Sequence, residues 1–181
     1  MSEWYRIARR IRVPLGFVFA LFYFWEATPS WTSLACGTIL LVVGLSVRAV
    51  ASGHVRKDEQ LTTSGPYAHV RNPLYLGSLI LACGLAIAAR NWWVVVGMLV
   101  LFVVIYLPVI FSEERYLRSN FPAFTHYAQH VPRLIPRLQA YAQTGNRSFS
   151  RELYWKHREY NALLGAIGAL ALLIVKLYVS R

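Results

Sequence analysis

The chain has 181 residues, of which 56% are hydrophobic and only 15% charged, with a formal net charge of +11 and a mean hydropathy of +0.40. A soluble domain does not carry its apolar residues in blocks about 20 long, the length a helix needs to cross a bilayer, so a soluble globular fold is excluded. In a membrane chain an excess of Lys and Arg records topology and contact with anionic headgroups, and no base-reading motif accompanies it, so nucleic acid is set aside as a partner.

The predicted fold is all-α, a polytopic membrane bundle of about five transmembrane helices. The first apolar stretch runs from Val13 to about Trp25, behind the basic cluster Arg6, Arg9, Arg10 and Arg12. It ends in an aromatic belt, Phe22 to Trp25, where a secretory signal would carry small residues, and so reads as a retained helix. The second span, Trp31 to about Val50, places Gly37 and Gly44 on one side, where a neighbouring helix can approach closely. Arg48, near its end, is expected to snorkel to the headgroups. The third span, about Leu74 to Ala89, and the fourth, Trp92 to Phe111, form a hairpin through the tight turn Arg90-Asn91. Pro108 lacks an N–H and its ring crowds the preceding turn, so the end of the fourth span is expected to kink or loosen. The fifth span runs from Asn161 to about Tyr178, with Lys176 expected to snorkel outward. Both cysteines, Cys36 and Cys83, fall inside spans and read as small apolar residues.

Nearly all Lys and Arg lie in the N-terminus, in residues 51–72 and in residues 112–160. The positive-inside rule then puts the N-terminus and both polar segments in the cytoplasm and the C-terminus outside, in a membrane expected to be the bacterial inner membrane.

The chemistry is concentrated in those two segments. In the first, Gly65-Pro66 signals a turn, and Asn72-Pro73 forces an extended residue before a helix that opens on proline. Tyr75 and Gly77 follow in the first helical turns, Gly77 leaving room for a ligand or a backbone beside the tyrosine. An interfacial loop anchored by Arg71 and Tyr75 accounts for the same residues. In the second, Glu113-Glu114 directly follows an apolar span. Such acids face a polar site, or else the solvated first turn of a surface helix in which Arg115 and Arg118 pair with them. Pro132 and Pro136 prevent a regular helix over Val131 to Arg137, leaving an extended strap that carries Arg133.

His126 and His130 are four residues apart and could face a metal together, but no third ligand is specified, and they read as part of a polar interfacial helix with no metal site. His54, His69 and His157 lie in basic loops and read as headgroup contacts, with His69 close enough to the first motif to line a pocket there.

Together the two segments resemble the isoprenylcysteine carboxyl methyltransferase and phospholipid methyltransferase superfamily of membrane enzymes. Its first motif is matched by Gly65, Pro66, Tyr67, Arg71, Asn72, Pro73, Tyr75 and Gly77, and its second by Glu113, Glu114, Leu117, Phe121, Tyr127, Val131, Pro132, Arg133 and Pro136. The resemblance implies S-adenosylmethionine in a pocket at the cytoplasmic membrane surface and methyl transfer to a lipophilic acceptor, an isoprenylcysteine-type carboxylate or a phospholipid amine. It further implies a cofactor site of Tyr67, Arg71, Asn72, Pro73, Tyr75, Gly77 and Glu114, with Glu113, Tyr127 and Arg133 in catalytic positions. Asn72 stands where the carboxyl methyltransferases commonly have His, and it hydrogen-bonds without titrating. Phe121-Pro122 stands where Phe-Gly is usual, and Phe124 falls near a position usually held by Tyr.

The expected organisation is a methyltransferase core over residues 1–138, then a linker and an accessory helix over 139–181, beyond the family's usual end and suited to packing on the core or on a second subunit. Expected partners are a lipophilic substrate and membrane lipids. The alternative from another class is a non-enzymatic scaffold or lipid-binding protein that retains the pocket.

Overall fold

The structure, a computed structural model, describes residues 3–56, 60–141 and 148–179, with side chains from residue 14 onward. The side chains of the N-terminal basic cluster, residues 57–59 of the first polar segment and residues 142–147 of the linker lie outside the described residues. Among the described residues all regular structure is helical.

Helix α1, Glu3–Glu26, runs unbroken through Pro14, so the helix begins well before the apolar stretch that opens at Val13. Ser30 caps α2, Trp31–Ser52, through a reciprocal capping box with Ser33. Pro73 opens α3, Pro73–Ala89, as the sequence predicts, and Arg90 closes it in the left-handed region at φ 52°. The fourth span differs from expectation at its end. Helix α4, Trp92–Leu101, passes through a π-helical turn at Phe102–Tyr106 into α5, Leu107–Asn120. The Leu107 N–H donates to the Phe102 carbonyl, five residues back. The widened turn lies directly ahead of Pro108 and absorbs the missing donor, so the helix loosens there, as expected, but does not stop at Phe111. It carries Glu113 and Glu114 onward on the same rod. The short helices α6, Phe124–His130, and α7, Arg151–Lys156, precede the last span, α8, Tyr160–Val179.

The most extensive pairing in the bundle is α2 against α3, and glycine makes it possible. A Cβ at Gly37 would stand 2.6 Å from the Gly84 carbonyl oxygen, and one at Gly44 would stand 2.9 Å from that of Gly77. Two glycines on each helix, at matching spacing, let the backbones touch. At the end of the bundle away from the motifs, Tyr23, Ala27, Leu34, Ala88, Val94, Leu173 and Leu177 form a common core of α1, α2, α3, α4 and α8.

Both snorkelling expectations are corrected. The Lys176 ammonium donates to the Phe24 and Trp25 carbonyls at the end of α1, satisfying two orphan acceptors there. Arg48 turns inward to Glu159, ahead of α8.

Three helical stretches, Trp31–Ser52, Trp92–Asn120 and Tyr160–Val179, are long and apolar enough to cross a membrane, and Pro14–Glu26 and Pro73–Ala89 are shorter apolar helices. Outward residues such as Ile39, Val42, Leu99, Val103, Leu164 and Val175 are exposed large hydrophobics, the surface a bilayer covers. The architecture is a helical membrane bundle.

Candidate functional site: a polar cavity at the motif end

The two polar segments close on each other at one end of the bundle. Residues 65–68 form a single 3-10 turn, with Gly65 at φ 58° and the His54 ring directly over it. The strap after α6 is extended, as its prolines require, and it pairs with the first segment through its backbone. The Arg71 N–H donates to the Pro132 carbonyl (2.8 Å), the Arg137 N–H to His69 (2.9 Å) and the Tyr141 N–H to Ala68 (3.0 Å). The Tyr127 hydroxyl completes the seam by donating to the Tyr67 carbonyl at 2.6 Å. Behind it Ala68, Phe124, Tyr127, Val131 and Tyr141 form a second small core.

Glu114 is the centre of this cap. Its carboxylate is buried and accepts from Asn72 Nδ2 at 3.0 Å, from Arg133 Nε at 3.0 Å and Nη2 at 2.8 Å, and from Arg71 Nη1 at 3.5 Å. Of the two readings of the acidic pair, the polar site holds for Glu114, whose cations come from other segments of the chain. Arg133 also lies over the Phe111 ring, 4.6 Å from its centroid, and Asn72 donates its second hydrogen to the Arg133 carbonyl at 3.2 Å. The hydrogen bond to Glu114 raises the Arg133 pKa. Burial lowers that of Arg71, against the pull of Glu114. Burial pushes the Tyr67 and Tyr127 phenols up, so both stay protonated at neutral pH.

Beside this network lies a cavity of about 200 Å³. Tyr67, Arg71, Asn72, Tyr75, Glu113, Glu114 and Tyr127 line it, together with Phe124, Leu117 and the earlier residues Arg56, Leu61 and Thr62. Among the described residues one buried side-chain donor is left over. Arg71 Nε is buried with no hydrogen-bond partner, an arrangement that costs free energy unless an acceptor is supplied.

Ten residues are singled out by the sequence for this site, and the structure brings seven of them to the cavity wall. Arg133 joins through its ion pair with Glu114. Pro73 and Gly77 do not reach the wall. Pro73 is fully buried at the start of α3, and a Cβ on Gly77 would meet Arg48 Cγ at 2.6 Å, so that glycine serves the α2–α3 contact. His69 is drawn away as well, its ring Nδ1 bonding the Arg137 carbonyl at 2.9 Å. His54 and His157 bond the Val50 and Ser52 carbonyls through Nδ1. His126 bonds the Tyr141 hydroxyl and His130 the His126 carbonyl, and among the described residues no group of three or more His, Cys, Asp or Glu could hold a metal ion. Sequence reading missed Arg56, Leu61 and Thr62, which only the fold of the first segment brings to the wall.

Fold and site together define a helical membrane protein with a buried ionic network beside a surface cavity. The sequence profile of phospholipid methyltransferase matches residues 33–123, about half of the chain, and the chain belongs to that family of methyltransferases. It is 35% identical over 143 residues to the cobalt-zinc-cadmium resistance protein CzcN of Cupriavidus metallidurans, with 72% of this chain and 63% of that protein covered. It is 33% identical over 126 residues to the nickel-cobalt-cadmium resistance protein NccN of Alcaligenes xylosoxydans xylosoxydans, with 65% and 56% covered. The chain thus matches under two thirds of the length of these curated relatives. No solved structure matches.

Proposed function

We propose that the protein transfers a methyl group from S-adenosylmethionine, held in the polar cavity, to a lipophilic acceptor that arrives from the bilayer, an isoprenylcysteine-type carboxylate or a phospholipid amine. The observation that carries this reading is Arg71, which lines the cavity and whose buried Nε has no hydrogen-bond partner, a cation suited to a carboxylate such as that of an amino-acid moiety. The rest of the wall fits the same ligand. Glu113 offers a carboxylate for an ammonium group, and Tyr67, Tyr75 and Tyr127 offer aromatic faces for a purine or a cationic sulfur.

Glu114 is read as a positioning residue. Its acceptor capacity is spent on Asn72, Arg71 and Arg133, and its work is to hold those cations at the wall. When bound, the sulfonium supplies an activated methyl group that is displaced in line. Alignment and exclusion of water then contribute more than a strong base, consistent with phenols that stay protonated.

The test is calorimetric titration of the purified protein with S-adenosylmethionine, beside Arg71→Gln, Tyr75→Ala and Glu114→Gln. Saturable binding, weakened tenfold or more by Arg71→Gln, is expected. Absence of binding by folded protein would overturn the reading. It would favour a scaffold that keeps the cap only for structure, a second reading consistent with the saturation of Glu114 by its own chain.

The charge distribution supports the bacterial inner membrane, with the motif end in the cytoplasm and the end of α8 outside, and cysteine labelling from each side of the membrane tests this. The names of the two relatives suggest the setting, tolerance of cobalt, zinc, nickel or cadmium, which growth of a deletion strain on these metals would check.

A further inference from the structure

The strap that carries Arg133 has a second feature, which the cavity does not use. Ile135, Pro136 and Leu138 are exposed within four residues of each other, Ile135 at 79% and Leu138 at 99%. Single exposed apolar residues are ordinary on a protein surface, so what matters is where these three lie relative to the bilayer.

Two spans fix that level. Helix α3 has 17 residues. At 1.5 Å per residue it rises about 25 Å, short of a typical hydrocarbon core, so Pro73 at its start cannot stand far outside the membrane. The residue before it, Asn72, donates to the Arg133 carbonyl at 3.2 Å. On the long rod Trp92–Asn120, Phe111 lies roughly 30 Å from Trp92, one core thickness. The Arg133 guanidinium stands 4.6 Å from the centroid of that ring. Backbone and side chain of Arg133 are therefore both held at the membrane boundary, by different helices, and the exposed apolar residues follow directly after it.

Charge favours the same surface. From Arg115 to Arg151 the chain carries six arginines and no acidic residue, a complement to anionic headgroups. Apolar residues set among arginines at this level suit the interface, where chain and headgroup are met together. The backbone limits the depth. The Arg71 N–H bonds the Pro132 carbonyl and the Arg137 N–H that of His69, but the strap is not helical, and a lipid-exposed irregular segment is not tolerated in the hydrocarbon core. Insertion is therefore shallow.

We propose that the strap is an interfacial anchor, in which Ile135, Pro136 and Leu138 enter the headgroup and upper acyl layer of the anionic leaflet at the motif end. Because Arg133 also holds Glu114, the anchor fixes the cap against the bilayer. The contact does not depend on methyl transfer and is tested without it.

The test is power-saturation electron paramagnetic resonance of the whole protein, in nanodiscs of phosphatidylcholine and phosphatidylglycerol. Cys36 and Cys83 are replaced by Ala, and a single nitroxide is placed at Ile135→Cys, Leu138→Cys or Gln139→Cys. Val103→Cys, exposed on the long rod, is the lipid reference, and Ser119→Cys, exposed near its motif end, the aqueous one. Oxygen reports lipid and a nickel chelate reports water. Labels at 135 and 138 are expected to read between the two references, with nickel collision several-fold below that at Ser119. In the Gln139 label, Ile135→Asp with Leu138→Asp is expected to raise nickel collision several-fold, because carboxylates are expelled from the apolar layer. Nickel collision at 135 and 138 equal to that at Ser119 would overturn the proposal and leave these residues to a soluble partner. So would shielding of both positions from both reagents, the sign of a protein cover, or a Gln139 label that the double substitution does not move.

Discussion

The two cavities of this molecule are built by opposite means. At the motif end, segments far apart in the chain are knitted by directional bonds, Tyr127 to the Tyr67 carbonyl, Arg71 to the Pro132 carbonyl, and three side chains to Glu114. Inside the bundle, a second cavity, of about 470 Å³, is what remains where helices bearing Gly, Ala and Leu fail to fill the space between them. In the first, all but one of the buried side-chain polar atoms are paired, the exception among the described residues being Arg71 Nε. The second depends on how closely α2 and α3 approach and where α8 lies, which dispersion and small residues decide.

Substitutions that break one cavity and spare the other sharpen this contrast. The largest effect is expected from Glu114→Ala, which leaves Arg71 and Arg133 facing each other across a buried site. A loss of about 3–5 kcal/mol should appear as a lowered unfolding temperature in detergent, with loss of cofactor binding. Gly44→Leu is next, because its side chain would strike the Gly77 carbonyl and Leu81. Overpacking of about 1–3 kcal/mol should lower thermal stability more than cofactor affinity. Tyr127→Phe removes one bond of the cap seam and should cost about 1 kcal/mol, visible as faster amide exchange across residues 65–71. Arg90→Gly lies at the opposite end of the bundle from the motifs. Relief of the left-handed backbone at φ 52° should stabilise the protein by up to about 1 kcal/mol in thermal unfolding, leaving cofactor binding unchanged.

Much of the first cavity was legible in the sequence. Proline at positions 66, 132 and 136 dictates turn or strap and Pro73 the start of a helix, while two acids after an apolar span leave a polar site and a solvated helix turn both open. The family resemblance assigns Gly77 to the cofactor site, while the residues alone leave a ligand and a backbone both open, because a glycine beside a tyrosine looks alike whether it faces a cavity or another helix. Its partner Gly44 stands on α2, and nothing local pairs it with Gly77 on α3, since the register between two apolar helices carries no local signal. Arg48 and Lys176 were expected in the headgroups for a similar reason. A long cation near a helix end reaches water by default, and only the packing of α8 offered Glu159 and the α1 carbonyls instead.

What the sequence by itself determined was therefore the solvent of each segment and the breaks between helices, because these follow from residue-level hydropathy and from the backbone limits of proline. What only the tertiary structure decided was which polar groups meet. Glu114 could have paired along its own helix, but Arg71, Asn72 and Arg133 reach it across 43, 42 and 19 residues of chain. A buried carboxylate takes the donors that the packed backbones bring within 3 Å or so, and those distances are set by the fold as a whole.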